Sequence, residues 1–192
     1  MLGKIRSWFS RSRPGSATHV PDYQQRVANE LSNFDDCINV HELPDIFHYW
    51  SNKHLAPPKF HQFGITDPEQ FFFFYTAKFH ERFPDKSIKL VSIGSGNCDM
   101  EARLARRMVD EGITDFRIEC IDINATMLER GKEHAHELGV GGYIFPLYGD
   151  FNSWQPDKIY DIVLANQCLH HVVELEHLFE TIYNALSKEG YF

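Results

Sequence analysis

The sequence predicts an α/β protein whose parallel sheet follows a helical segment. Three observations predict this class: short apolar runs alternate with amphipathic helix patterns over residues 87–192, a glycine-containing turn follows the first of these runs, and residues 21–86 carry helical patterns rich in aromatic residues and histidine. Strands that alternate with helices form parallel sheets with right-handed crossovers. We therefore expect an α/β domain over residues 87–192, with residues 21–86 as a helical cap.

The strands and helices of the α/β region are read from the spacing of apolar residues. Strands are predicted at 89–93, 116–121, 143–148 and 159–165, and helices at 99–110, 124–138 and 174–187. Gly190 follows the last helix and precedes the first residues of another strand. Because so short a strand cannot complete a sheet, we expect the chain to be a fragment of a longer protein, with a C-terminally incomplete α/β domain.

The helical cap is predicted to contain two helices. The first covers 43–55, and the second covers 68–83 with Asp67 as its N-cap, although a capping box at Thr66 would compete. Four consecutive phenylalanines at 71–74 point all round the second helix. We therefore expect this helix to pack between two layers or to line a pocket with one side.

Composition limits the classes of function. The 192 residues carry a formal net charge of -8, which argues against general nucleic-acid binding. No apolar run approaches the ~20 residues that cross a bilayer. Residues 1–20 form a basic tail that we interpret as flexible, and a basic amphipathic segment of this kind could also contact an anionic membrane surface.

Cysteine and histidine spacing predicts neither disulfides nor a metal site. The four cysteines are scattered and include no C-x-x-C pair, so we expect reduced, buried thiols and a cytoplasmic protein. The histidines of the helical cap show no metal-ligand spacing, so we interpret them as surface or pocket-lining side chains. These residues are Cys37, Cys98, Cys120 and Cys168, and His41, His48, His54, His61 and His80.

The turn after the first strand is the most informative local signal. Gly94 and Gly96 leave out side chains at the start of a helix, where a ligand can lie against the backbone. A dinucleotide fingerprint has a third glycine where this chain has Asp99, and an aspartate there would repel a pyrophosphate. No Gly-Lys-Ser/Thr follows, which excludes a Walker loop. The turn therefore favours a nucleoside without phosphates.

Polar residues follow the other strands at the same edge of the sheet. Asp122, at the end of the second strand, is placed to accept both hydroxyls of a ribose. Asp150, after the third strand, is placed to accept the amino hydrogens of adenine, with Phe151 beside the ring. His170 and His171 follow the fourth strand and are either a general base or ordinary loop residues. Because the carboxyl ends of parallel strands share one edge, we expect one common crevice.

Taken in order, these motifs resemble those of the Rossmann-like (class I) S-adenosylmethionine-dependent methyltransferases. The resemblance covers 89–192 and depends on the segments 91–96, 121–128, 149–151 and 160–172. It implies the strand order 3-2-1-4-5, with S-adenosylmethionine bound at the C-terminal edge of the sheet. The cofactor-binding residues that it implies are Gly94, Ser95, Gly96, Asp122, Ile123, Asp150, Phe151 and Asn166, of which Asn166 would lie near the reacting methyl group.

The chain departs from this family at two positions of the glycine turn. Many relatives carry an acid where this chain has Ser92, and a third glycine where it has Cys98. The resemblance implies methyl transfer to an unidentified, small-molecule acceptor. The alternatives are a nicotinamide-dependent oxidoreductase, against which Asp99 argues, and a non-catalytic cofactor-binding or interaction domain.

Overall fold

The computed structural model describes residues 23–34, 44–55, 57, 62, 64–65 and 67–192. The predicted basic tail, Thr66, Cys37, His41 and His61 lie outside these residues. Within the described part of the chain, no helix combines the length and apolar character needed to cross a membrane.

Five parallel strands form the sheet in the order β3-β2-β1-β4-β5, which confirms the predicted strand order. Central strand β1 pairs with β2 through Leu90 and Ile118, and with β4 through Leu90 and Ile162. The three inner strands β2, β1 and β4 are almost wholly buried, as expected of a parallel sheet covered on both faces. The strands are β1 (Ile88–Ile93), β2 (Phe116–Asp122), β3 (Ile144–Tyr148), β4 (Tyr160–Leu164) and β5 (Leu186–Tyr191).

Six α-helices accompany the sheet in the described residues. They are α1 (Tyr23–Phe34), α2 (Asp45–Trp50), α3 (Pro68–Arg82), α4 (Asp99–Asp110), α5 (Ala125–Glu137) and α6 (Leu175–Ala185). The side chain of Asn124 caps α5 by accepting a hydrogen bond from the Met127 amide at 3.0 Å. Helix α4 has the predicted bounds, because its buried stripe of Leu104, Ala105 and Met108 repeats at helical spacing.

Alternate residues of β1 belong to two apolar clusters. Leu90 shares one cluster with Leu104 and Met108 of α4, whereas Val91 shares the other with Leu178 and Ile182 of α6. All five side chains are buried, and each such burial contributes about 1.5–3 kcal/mol relative to exposure. Packing on both faces fixes the position of β1, and with it the position of the turn at its carboxyl end.

The end of the chain differs from the sequence prediction. The predicted helix 174–187 ends at Ala185, and β5 begins at Leu186 rather than after Gly190. Leu186 pairs with Tyr160 of β4, with an irregularity in the register before the next pair. A Cβ atom on Gly190 would lie 2.6 Å from the Asp161 carbonyl oxygen, so the backbones approach closely there. Pairing with β4 therefore overrides the helical periodicity of this segment.

The helical cap is also more segmented than predicted. The single helix expected over 43–55 is α2 followed by a π-helical turn at Ser51–Leu55. Helix α3 begins as predicted, with the Asp67 carboxylate accepting a hydrogen bond from the Glu69 amide at 2.9 Å. Neighbouring phenylalanines of α3 have different environments, since Phe72 packs against the core while Phe71 is exposed.

Of the two roles expected of the phenylalanine run, packing between two layers is not observed, because Phe71 and Phe74 are exposed. Phe73 joins Phe72 against the core, so one side of α3 packs on the α/β domain. Phe71, Phe72 and Tyr75 also line a groove of about 170 Å³ beside β4 and β5.

Candidate functional site

A cleft of about 260 Å³ opens at the carboxyl ends of β1, β2 and β4. It brings together nearly all of the residues predicted from the sequence to bind a ligand. Those that line it are Gly94, Ser95, Gly96, Asp122, Ile123, Phe151, Asn166, His170 and His171. Asp150 lies instead beside an adjoining small cavity, together with Tyr23 of α1.

The glycine turn takes a conformation that favours glycine at both predicted positions. Gly94 and Gly96 have φ angles of +63° and +54°. The Gly94 amide donates a hydrogen bond to the Ile121 carbonyl oxygen at 2.8 Å, which ties the turn to β2. A Cβ atom on Gly94 would lie 2.6 Å from the Cβ of Cys168. Gly94 is therefore needed for packing between the turns after β1 and β4 as well as for ligand access.

Cys98 explains one departure from the family pattern. It precedes α4 with a φ of +54°, in the left-handed region that glycine adopts without steric cost. Its side chain is fully buried, with Sγ 3.7 Å from the Ser95 hydroxyl oxygen. The chain thus keeps a left-handed turn at Cys98 although this residue is not glycine.

The Asp122 carboxylate is tied to the glycine turn. Oδ2 accepts a hydrogen bond from the Gly96 amide at 2.8 Å, and Oδ1 accepts one from the Asn124 amide at 2.9 Å. Burial raises the pKa of Asp122, while these amide hydrogen bonds oppose that rise. The Ile123 backbone amide also bonds this carboxylate, which offers about four acceptor positions when ionised, so part of its capacity remains for the hydroxyls of a ribose.

Asp150 is already engaged by the helical cap. The Tyr23 hydroxyl donates to Oδ2, and the backbone amide of Asn152 donates to Oδ1 at 2.8 Å. Burial and the hydrogen bond to Asp150 raise the pKa of Tyr23 to about 12, so the phenol stays a donor near neutrality. An adenine amino group that approaches Oδ2 would compete with this phenol, and the predicted adenine contact of Asp150 stays a prediction.

The two histidines lie on a 3-10 turn, Leu169–His171, after β4. The Nδ1 atom of His171 lies 3.2 Å from a carboxylate oxygen of Glu30 in α1, whereas His170 is exposed. Glu30 and Leu31 also line the cleft, so α1 forms part of its wall. His170 is thus exposed in the lining of the cleft, and the role of His170 or His171 as a general base stays a prediction.

Sequence reasoning missed Glu101, a carboxyl group in the wall of the cleft. Its residue is 2% exposed, and the Ser92 hydroxyl donates to its Oε1 at 2.5 Å. Burial raises the pKa of Glu101 to about 7. A signal was present, because Glu101 falls on the same helical stripe as Leu104 and Met108, which the sequence places inward. A glutamate in the first turn of a helix ordinarily suggests a solvated side chain.

No cluster of three or more potential metal ligands occurs among the residues that the structure describes. Cys98, Cys120 and Cys168 are free and buried.

The family to which the chain belongs follows from a match over its α/β region. A family model described as a methyltransferase domain matches residues 84–192, which is more than half of the chain. The chain belongs to this methyltransferase domain family. The matched region contains the glycine turn, Asp122, Asp150 and Asn166.

The proteins similar to this chain include two named relatives and a solved structure. Botryococcene C-methyltransferase from Botryococcus braunii is 27% identical over 117 residues, which are 60% of this chain and 29% of that protein. Ubiquinone/menaquinone biosynthesis C-methyltransferase UbiE from Enterobacter sp. (strain 638) is 26% identical over 102 residues, which are 53% of this chain and 39% of that protein.

The chain therefore spans well under half the length of these curated relatives. A crystal structure of an S-adenosylmethionine-dependent methyltransferase from Clostridium acetobutylicum matches with a TM-score of 0.50 and 11% identity, covering 74% of this chain and 55% of that chain. This structural similarity shows the fold.

Proposed function

We propose that this chain is the S-adenosylmethionine-binding part of a methyltransferase that acts on a small molecule. The observation that carries the proposal is the meeting of the Gly94–Gly96 turn with the Asp122 carboxylate in one cleft, in a chain of the methyltransferase family. Both named relatives are C-methyltransferases, so a carbon atom is the first acceptor atom to test.

The residues of the cleft fit a nucleoside with an amino-acid end. Gly94 and Gly96 keep the floor free of side chains, and the Asp122 oxygens retain acceptor positions. Phe151 and Met127 add apolar surface on which an adenine ring can lie. Asp99 also lines the cleft, and its carboxylate opposes the pyrophosphate that a nicotinamide dinucleotide would bring.

Catalysis in this site depends on positioning and on exclusion of water. When bound, S-adenosylmethionine would supply a methyl group on a sulfonium, with the acceptor contributing the electron pair of the new bond and the sulfur keeping that of the broken one. Asp122 would orient the ribose, and Asn166 at the end of β4 would lie beside the reacting centre. Helix α1, through Glu30 and Leu31, would shield the cleft from solvent. His170 or His171 would accept a proton where the acceptor must lose one.

Calorimetric titration of the full 192-residue chain with S-adenosylmethionine and S-adenosylhomocysteine tests this proposal. We expect Asp122→Asn to weaken binding about tenfold or more, because hydrogen bonds to a charged acceptor contribute about 1.5–3 kcal/mol. Asp115→Asn is the matched control, since the exposed Asp115 immediately precedes β2 at the opposite edge of the sheet. Unchanged affinity of Asp122→Asn, or binding of NAD in place of both ligands, contradicts the proposal.

Three further expectations accompany the proposal. The cytoplasmic location and the membrane-surface contact of residues 1–20 stay predictions. The division into residues 1–20, 21–86 and 87–192 also stays a prediction, supported by the way α1 walls the cleft of the α/β domain.

A further inference from the structure

We propose that Glu101 binds the α-amino group of the cofactor's amino-acid end and supplies its counter-charge. This inference rests on the proposed function and deepens it by assigning a ligand group to a residue outside the predicted set. It follows from where Glu101 lies in the cleft, from the absence of a described ion-pair partner and from its contact with Ser92.

The sheet order places Glu101 at the appropriate end of the cleft. Asp150, Asp122 and the glycine turn follow β3, β2 and β1, which are consecutive neighbours in the sheet. A nucleoside with its ribose at Asp122 and its base towards β3 therefore extends its amino-acid end towards β1 and β4. Glu101 lies at that end, since Ser92 of β1 donates to its carboxylate.

The Glu101 carboxyl is buried without a basic partner. Among the described residues, none of the ion pairs involves Glu101. Burying an ionised carboxylate in this way is costly unless a positive charge or several hydrogen bonds compensate. An ammonium group is the ligand chemistry that compensates it.

The charged and titratable groups around Glu101 come from three elements. On α4, Asp99 opposes ionisation of Glu101 and Arg103 favours it. Cys120 of β2 and Cys168 after β4 also interact electrostatically with Glu101. The hydrogen bond with Cys98, together with burial, raises the pKa of Cys120, and burial raises the pKa of Cys168. These thiols are neutral near pH 7. Arg103 is therefore the one group named here that supplies any positive charge to Glu101, and it does so only in part.

Ser92 and Glu101 act together in this proposal. Strand β1 carries the hydroxyl and helix α4 carries the acid. The Ser92 hydroxyl donates to Oε1 and so fixes the orientation of the carboxyl group. The carboxylate that faces the cleft is thereby supplied from α4.

Linked proton release provides a test that needs no variant. Glu101 is mostly protonated at about pH 6 and would ionise when an ammonium binds, so binding should release close to one proton. We expect titration of the wild-type chain with S-adenosylhomocysteine, in buffers of different ionisation enthalpy at about pH 6, to show this release. 5′-Methylthioadenosine, which has the ribose but no amino-acid end, should release far less. Because both ligands carry the ribose, protons exchanged at Asp122 cancel in the comparison.

A variant isolates the side chain. Glu101→Gln keeps an acceptor for Ser92, and we expect it to weaken S-adenosylhomocysteine binding about tenfold or more while changing 5′-methylthioadenosine binding less than about twofold. Glu119→Gln is the matched control, because Glu119 is an equally buried glutamate whose oxygens meet Lys158 and Tyr160 away from the cleft. The control should bind both ligands as the wild type does.

The possible results separate this inference from the proposed function. If the wild type binds S-adenosylhomocysteine but releases no proton, or if Glu101→Gln weakens both ligands equally, Glu101 is only structural and the inference is overturned while the proposed function stands. If the wild type binds neither S-adenosylmethionine nor S-adenosylhomocysteine, both fail together.

Discussion

Glu101 should make the stability of the ligand-free protein fall as pH rises. Its pKa in the folded chain, about 7, is above the ordinary value of 4.5, so between these values the folded state binds more protons than the unfolded state. The free energy of unfolding therefore decreases from about pH 4.5 to about pH 7 and then levels off. At about 1.4 kcal/mol for each pKa unit, the decrease is at most about 3.5 kcal/mol.

Urea unfolding of the wild type and of Glu101→Gln at about pH 5 and about pH 8 measures this effect. We expect the free energy of unfolding at pH 8 minus that at pH 5 to be more positive in Glu101→Gln than in the wild type, because the variant lacks the ionising group. Burial acts to raise the pKa of Glu119 as well, but hydrogen bonds from Lys158 and Tyr160 lower it overall. Glu119→Gln should therefore retain the decrease due to Glu101. Parallel pH profiles of stability in the wild type and Glu101→Gln would contradict the raised pKa of Glu101.

Gly94 is the residue of the turn with the least room for a side chain. In Gly94→Ala, the new Cβ would meet Cys168 at 2.6 Å while the backbone keeps a φ of +63°. Left-handed backbone costs about 1–2 kcal/mol and overpacking about 1–3 kcal/mol, so we expect a loss of about 2–5 kcal/mol. Chemical denaturation measures the loss. Gly142→Ala, where a Cβ would meet nothing within 4 Å, is the control and should change stability little.

At the scale of elements, polar side-chain contacts hold α1 over the cleft, and one of them is the hydrogen bond that the Asn152 side-chain amide donates to the Tyr23 hydroxyl at 3.1 Å. Tyr23 donates to Asp150 after β3, and Glu30 lies beside His171 after β4. Both partners belong to turns at the carboxyl edge of the sheet. The helix therefore covers the site through polar contacts that a ligand can compete with.

Tyr23→Phe tests this competition. Removing the phenol frees an oxygen of Asp150 for an adenine amino group, so we expect S-adenosylhomocysteine to bind about fivefold more tightly, which corresponds to a net hydrogen bond of about 1 kcal/mol. Calorimetry measures the affinity. Tyr148→Phe, which alters an exposed tyrosine of β3, should leave it unchanged. Weaker binding by Tyr23→Phe would mean that the phenol supports the site instead of competing for it.

At the scale of the whole molecule, the cleft joins elements from most of the sheet. Its lining comes from the ends of β1, β2 and β4 and from α1 and α4. A ligand that contacts all of these elements binds the folded state and not the unfolded chain. Binding should therefore stabilise the entire fold.

We expect S-adenosylhomocysteine at about 100 times its dissociation constant to add about 2.7 kcal/mol to the free energy of unfolding. For a chain of this size the midpoint of thermal unfolding should rise by about 5–10 °C. Differential scanning calorimetry with and without the ligand measures the shift. Asp122→Asn at the same ligand concentration should show a much smaller rise, and an equal rise would mean that the ligand binds elsewhere.

The α/β region was largely predictable from the sequence. The predicted bounds of β1 to β4 differ from the observed ones by no more than one residue at either end, because their apolar runs are short and turns separate them. The last element was predicted less well, since Leu186 continues the helical pattern of α6 but pairs with Tyr160. Helical periodicity is a local property, whereas strand pairing depends on a residue distant in the chain.

The sequence by itself determined the fold class and the edge of the sheet at which Gly94, Gly96 and Asp122 meet. Strand and helix patterns are local, and parallel strands bring their carboxyl ends to one edge whatever else the chain does. Only the tertiary structure decided that Glu101 faces the cleft from a buried position and that Tyr23 reaches Asp150, 127 residues away. Burial and contacts between distant residues set both features, and neither is contained in the spacing of neighbouring side chains.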